Sequence, residues 1–377
     1  MVTVEGTCDP KFERVREAFA GNFRSGDEVG AAVAVMVDGR MVVDLWGGVR
    51  DQASGAIWQR DTLACMMSVA KGVTATCMAM LFDRGLLDLE APVARYWPEF
   101  ARNGKDAVTV RQIMSHLAGI PVTDAAPESA IYDWPTMIAA IEAQRPIWQP
   151  GSTQFYHSAT MGHLTGEILR RITGKTIGRF LHDEVCARLG ADYAIGLSEA
   201  DVARCATMIP SAGNVIGLAK AAPPDSLEAR MWRPLPASED FNSRRFRQAE
   251  IPAFNGHGTA RGVATIYGAL ARGGELGGIR LLRPEGLAPF IADQPTGRPV
   301  ASAVPLRMGL GFMLCSPPHR PMGPNLRSFG HTGAGGAQGF ADPDARVGFG
   351  YALNRMHDGR DASPRATRMI EATFSCL

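Results

Sequence analysis

Over residues 9–25, apolar residues recur every three or four positions, and Phe12, Val15, Phe19 and Phe23 fall on one stripe. That spacing predicts an amphipathic helix. Two apolar runs follow in AAVAVMVDGRMVVDLW, one on each side of Asp38-Gly39. Asp-Gly between such runs predicts a hairpin, because a type I′ turn needs positive φ at both central positions. From Ser68 to about Asp83 the chain is apolar nearly all round. This predicts a buried helix, with Gly85 as its stop.

The stretch from about 87 to 220 reads as mostly helical with long loops. TVRQIMSHLAGIP and SATMGHLTGEILRRITGK are expected to be helices ending at glycine. Residues 221–252 differ, because Pro223, Pro224, Pro234 and Pro236 interrupt them. A long irregular loop is expected there, of the kind that often covers a site. A helix resumes after Thr259, a good N-cap, through RGVATIYGALARGG. MGLGFML, RSFGHTG, AQGFAD and RVGFGYALN then read as short strands. A last helix is expected from Ser363-Pro364, with Ala366, Met369, Ile370 and Thr373 on its inner stripe.

Strands and one helix therefore lie at each end of the chain, with helices between. The economical fold is α/β (α+β): one antiparallel sheet built from both ends, flanked by helices and interrupted by a mostly helical insertion. Residues 1–90 and 280–377 are expected to form the sheet domain. Residues 91–279, including the loop 221–252, are expected to form the helical one, with the active site between them.

Composition removes several classes of function. A formal net charge of +1 offers no electrostatic footprint for nucleic acid or an anionic membrane. No apolar run reaches membrane-spanning length, and the N-terminus lacks the pattern of a secretion signal. Seven scattered cysteines without C-x-x-C suit a reducing compartment, so a cytoplasmic protein is expected. The histidines lack H-E-x-x-H spacing, and no G-x-G-x-x-G follows a strand, so neither metal nor cofactor is expected. No G-x-S-x-G elbow of a Ser-His-Asp hydrolase is present.

One detail changes the picture. Only five of the 39 basic residues are lysines, yet one of them, Lys71, sits inside the apolar run beginning at Ser68. On a helix, residues i and i+3 share a face, so the hydroxyl and the amine would lie side by side. Serine needs an adjacent base to become nucleophilic. A buried lysine can lose its proton and serve as that base, whereas arginine stays protonated. Seventeen serines and five lysines give roughly 0.2 S-x-x-K matches by chance at this composition, and one is present. The plainer alternative is a surface lysine beside a capping serine.

Two further stretches carry candidates. In PGSTQFYHSATMGHLTGEIL, Tyr156 precedes a helix; its phenol is too weak a base unless a cation such as Lys71 lowers its pKa, and otherwise it is a packing residue. In FGHTGAGGAQGFAD, glycines on a strand edge can offer backbone N–H groups to an oxyanion, or else form a plain glycine-rich hairpin.

In this order and spacing, the three stretches resemble the serine beta-lactamase and penicillin-binding-protein superfamily. They are most similar to its class C-like esterases, the family VIII carboxylesterases. The resemblance runs through SVAK, MSHLAGI, PGSTQFYHS, NGHGTARGVATIYGALARGG and FGHTGAGGAQGFADPDARVGFGYALNRM. It implies a beta-lactamase-like fold and an acyl-enzyme on Ser68, with Lys71 and Tyr156 sharing proton transfer. It also implies an oxyanion hole from the N–H groups of Ser68 and Ala334. His331, Thr332, Gly333 and Ser158 would line the bound substrate. The superfamily's lactamases carry lysine where this chain has His331, and Y-x-N where it has Tyr156-His157-Ser158. A neutral histidine holds a substrate carboxylate less well, which favours uncharged, short-chain or compact esters as the small-molecule partner. A beta-lactamase, a D-amino-acid peptide or amide hydrolase, and a non-catalytic penicillin-binding-like protein are the alternatives.

Overall fold

The computed structural model describes residues 2–211, 213, 215–236, 241–295, 298–299, 306–358 and 362–377. Its main sheet contains β1 (Val4–Cys8), β2 (Gly30–Val37), β3 (Arg40–Asp51), β4 (Met313–Leu314), β5 (Phe329–Thr332), β6 (Gln338–Asp342) and β7 (Val347–Leu353). The order is β1-β3-β2-β7-β6-β5-β4, with the short strand Ala56–Ile57 added to β3, and every pairing is antiparallel. The β2–β3 hairpin turns at Asp38 and Gly39, with φ of 46° and 81°. At the centre of the sheet, β2 from one chain end pairs with β7 from the other, from Val37↔Val347 to Ala31↔Leu353.

Alternation along these strands decides what covers each face. Val33, Val35, Phe349, Tyr351 and Leu353 face a cluster with Phe12, Val15 and Phe19 and with Ala366, Met369 and Ile370. These come from the two terminal helices, α1 (Glu13–Arg24) with the turn before it, and α5 (Pro364–Phe374). Each fully buried large side chain contributes about 1.5–3 kcal/mol. The opposite face carries small residues, Ala32, Ala34, Gly348, Gly350 and Ala352, which let α4 (Ala260–Ala271) lie close. A Cβ on Gly348 would sit 2.3 Å from Gly268 N.

The run after Ser68 forms α2 (Val69–Asp83), buried from Val69 to Leu81 and closed by Gly85 at φ 71°. It lies between β5 and α3 (Thr160–Thr173), which ends at left-handed Gly174.

Four expectations change. The helix in TVRQIMSHLAGIP stops at Met114, and His116 takes φ 63°, so it does not run to the glycine. Of MGLGFML only Met313–Leu314 pairs in the sheet, because Gly311 turns the chain at φ 79°. The stretch 221–252 holds two short helices, Leu227–Trp232 and Arg244–Gln248, each capped by a serine; residues 237–240 lie outside the described set. Finally, α4 falls within the span 91–279 set apart as helical, yet it packs on β2, β6 and β7, since its small inner face matches the small face of the sheet.

Candidate active site

The start of α2 is pinned on both sides. Strand Ala64–Cys65 pairs with His257–Gly258, and Met66 N donates to Gly256 O at 2.8 Å. Met67 is buried and takes φ 48°, a conformation that costs a non-glycine residue on the order of 1 kcal/mol. The turn it makes leaves Ser68 half-buried at the N-cap position of α2, its side chain making no capping bond.

Lys71 projects from the next turn and is 1% exposed. Its Nζ donates to Ser158 O at 2.9 Å and to Ala253 O at 2.8 Å, and lies 3.4 Å from Ser68 Oγ. Burial alone drives its pKa well below the usual 10.5. Carbonyls can only accept, so a neutral amine spends its two N–H groups on Ser158 and Ala253. Its lone pair is then left for the third direction, where the Ser68 hydroxyl sits.

The Tyr156 ring lies 4.7 Å from Lys71 Nζ, measured to the centroid. Burial raises its phenol pKa; a hydrogen bond with Ser68 and the Arg320 guanidinium oppose this less strongly. Lys71 is not among the groups that lower it, and Tyr156 keeps its proton. His331 Nδ1–H donates to Thr332 O at 2.6 Å, so its Nε2 is free to accept the Tyr156 O–H at 3.2 Å. Burial, with Lys71 next in effect, pushes the His331 pKa down to about 3, and the ring is neutral. His157 is likewise neutral, pushed down to about 4 by burial. Its Nδ1–H donates to Phe155 O at 2.5 Å and its Nε2 accepts from Ile120 N at 3.0 Å. His116 accepts from His157 N at 3.1 Å and packs its ring 4.9 Å from that of Tyr156.

The strand β5 brings the glycine-rich stretch to Ser68. Gly333 lies so close that a Cβ there would be 2.2 Å from Met66 O, which is why no larger residue fits. The next residue, Ala334, packs against a cluster containing Met67, Trp232, Phe246 and Phe254, which carries the 221–252 stretch to the cleft. Among the described residues, the backbone N–H groups of Ser68 and Ala334 have no internal acceptor. Thr332 turns its hydroxyl to Met313 Sδ at 3.5 Å, and Ser158 contributes its carbonyl to Lys71.

Sequence reasoning missed the Ala253 and Ser158 carbonyls, because every residue carries one and only the fold selects which are used. Among the described residues, no group of three or more His, Cys, Asp or Glu side chains is placed to hold a metal. The seven cysteines are free, and among the described residues no helix is long and apolar enough to cross a membrane.

A sheet made from both chain ends, with a serine hydroxyl and a buried amine at the head of a central helix, defines the hydrolases of the serine beta-lactamase and esterase superfamily. Comparison with known proteins agrees: the beta-lactamase family matches residues 15–374, and the chain belongs to it. It is 36% identical over 363 residues to Esterase/beta-lactamase LipL of Mycobacterium tuberculosis, covering 94% of this chain and 83% of that protein. A crystal structure of a family VIII carboxylesterase superposes with TM-score 0.88 at 40% identity, over 100% of both chains. A penicillin-binding protein homologue from Caulobacter crescentus superposes with TM-score 0.90 at 36% identity, also over 100% of both.

Proposed function

We propose that the chain is a serine carboxylesterase that hydrolyses short-chain or compact uncharged esters through an acyl-enzyme on Ser68. The observation that carries this reading is the Lys71 amine, buried, held by two carbonyls and 3.4 Å from Ser68 Oγ. Neutral Lys71 takes the Ser68 proton as Oγ attacks the ester carbonyl carbon. The oxyanion forms against the N–H groups of Ser68 and Ala334. On collapse the C–O bond to the alcohol breaks, and the leaving alkoxide takes a proton from Tyr156 Oη, which is refilled from the Lys71 ammonium. Water then attacks the acyl carbon, with Lys71 again accepting a proton; the bond to Ser68 Oγ breaks, Oγ takes the proton back from the Lys71 ammonium, and the acid leaves. Tyr156 thus acts as a neutral relay, in keeping with its raised pKa.

Preference for uncharged esters rests on His331. It is neutral, and its Nε2 is engaged by Tyr156, so it presents no cation to a substrate carboxylate. The 221–252 stretch, packed against Met67 and Ala334, covers the cleft and sets the size of acyl or alcohol group accepted. Burst kinetics with p-nitrophenyl butyrate test the reading; a Ser68→Ala protein with full activity would sink it. The relative named as both esterase and beta-lactamase favours a second reading, hydrolysis of lactam amides. A clearly higher kcat/KM on nitrocefin than on the butyrate would select it.

A further inference from the structure

The Ala253 carbonyl comes from a segment 182 residues away from Lys71 in the chain. Something must hold it at 2.8 Å, and the neighbouring contacts show what does. Asn255 is fully buried, and all three hydrogen bonds of its side chain are internal to its own turn. Its Oδ1 accepts from Ile251 N at 2.9 Å, and its Nδ2 donates to Phe246 O at 2.9 Å and Ala249 O at 2.6 Å. The turn so closed is laid along α2, where Thr74 Oγ1 donates to Pro252 O at 3.2 Å. On its other side it meets α3 at Gly162, where a Cβ would lie 2.3 Å from Ala253 N.

We propose that Asn255 is a positioning residue for the Lys71 amine: it closes the 246–255 turn and thereby sets the Ala253 carbonyl that directs the amine's lone pair at Ser68. This rests on the reading of Lys71 as the acylation base. The same turn ends the 221–252 stretch, so the segment covering the cleft also orients the base beneath it. The titratable groups around the amine are Tyr156, His116, His157 and His331, and burial keeps all four neutral. The guanidinium of Arg320 acts on Tyr156 and His331 from beyond them. A loosened turn therefore changes Lys71 by admitting water, which relieves the burial that lowers its pKa.

The test is burst-phase acylation of the full chain by p-nitrophenyl butyrate from about pH 5 to 10, with Asn255→Ala and Gly162→Ala as independent ways to displace Ala253. Displacing a base by a fraction of an ångström to an ångström slows acylation by about tenfold to a hundredfold. The expected result in each folded variant is that loss, an upward move in the midpoint of the pH rise, KM changed by less than about twofold, and no further loss when the same change is made in a Lys71→Ala protein. An unmoved pH midpoint in the folded variants, or a loss that multiplies in full with Lys71→Ala, overturns the proposal. If Lys71→Ala alone leaves acylation intact, the base assignment itself fails, which is a separate outcome.

Discussion

Two lysines of this chain are sealed from solvent, Lys71 at 1% and Lys105 at 0% exposure, and they are held in different ways. Lys105 Nζ donates to the carbonyls of Arg102, Glu142 and Gln144 at 2.8, 2.8 and 2.6 Å. Three acceptors call for three N–H donors, so this group is an ammonium. Burial pushes its pKa down only to about 8, above neutral pH. It sits at the end of the helix Trp134–Ala143, whose last carbonyls favour a cation. Lys71 has two such carbonyls, and its third neighbour is a hydroxyl. Burial makes both amines easier to deprotonate. The count of carbonyls decides which one has a lone pair to spare, and so which can act as a base.

The largest effect expected from this comparison is on chemistry. Lys71→Ala slows acylation by about 10²–10⁴-fold, the usual range for a lost general base. Lys71→Arg does no better, because a guanidinium stays protonated. Single-turnover kinetics measure both, and recovery of activity with arginine would break the distinction drawn here. Lys105→Met leaves acylation within about twofold but strips the donors from three carbonyls, costing about 1–3 kcal/mol of stability by denaturant unfolding. An inactive but fully stable Lys105→Met protein would reverse the two roles.

Acylation rises with pH through a midpoint well below 10.5, because only the neutral amine takes the Ser68 proton. The same shift has a stability consequence. Between the depressed folded-state pKa and 10.5, the unfolded chain holds a proton that the folded chain lacks, so stability rises with pH. Below that window the penalty is complete and constant. The wild type therefore gains on Lys71→Met as pH rises across the window, read from unfolding at several pH values; a constant difference would contradict a depressed pKa. The smallest effect is at the neighbouring position. His331→Lys removes the acceptor of the Tyr156 hydroxyl and adds a cation, so ester acylation falls by roughly tenfold while a carboxylate-bearing lactam gains affinity by a similar factor. Equal losses on both substrates would deny His331 a part in their discrimination.

Much of the frame was legible in the chain because its signals are local. Asp38-Gly39, the stripe Phe12-Val15-Phe19, the apolar run after Ser68 and the capping Thr259 each declare their element within a few residues. The pairing of Ser68 with Lys71 is local too, one helical turn apart. What stayed hidden is set by distant contacts. The carbonyls that orient Lys71 come from positions 87 and 182 residues away. The state of Tyr156 is set by its burial, and the acceptor of its hydroxyl is the ring of His331, 175 residues further along; neither is visible near position 156 in the chain. The short helices at Leu227–Trp232 and Arg244–Gln248 were obscured by the prolines around them, although each has its serine cap.

With only five lysines, the chain suits carbon-13 labelling at lysine Cε and an NMR titration in which each lysine gives its own signal. The Lys71 signal is expected to titrate well below 10.5 and to be lost from its place in a Lys71→Arg protein, while the Lys105 signal remains that of an ammonium at neutral pH. A Lys71 signal that stays protonated up to the ordinary lysine range would contradict the claim that this amine is the base.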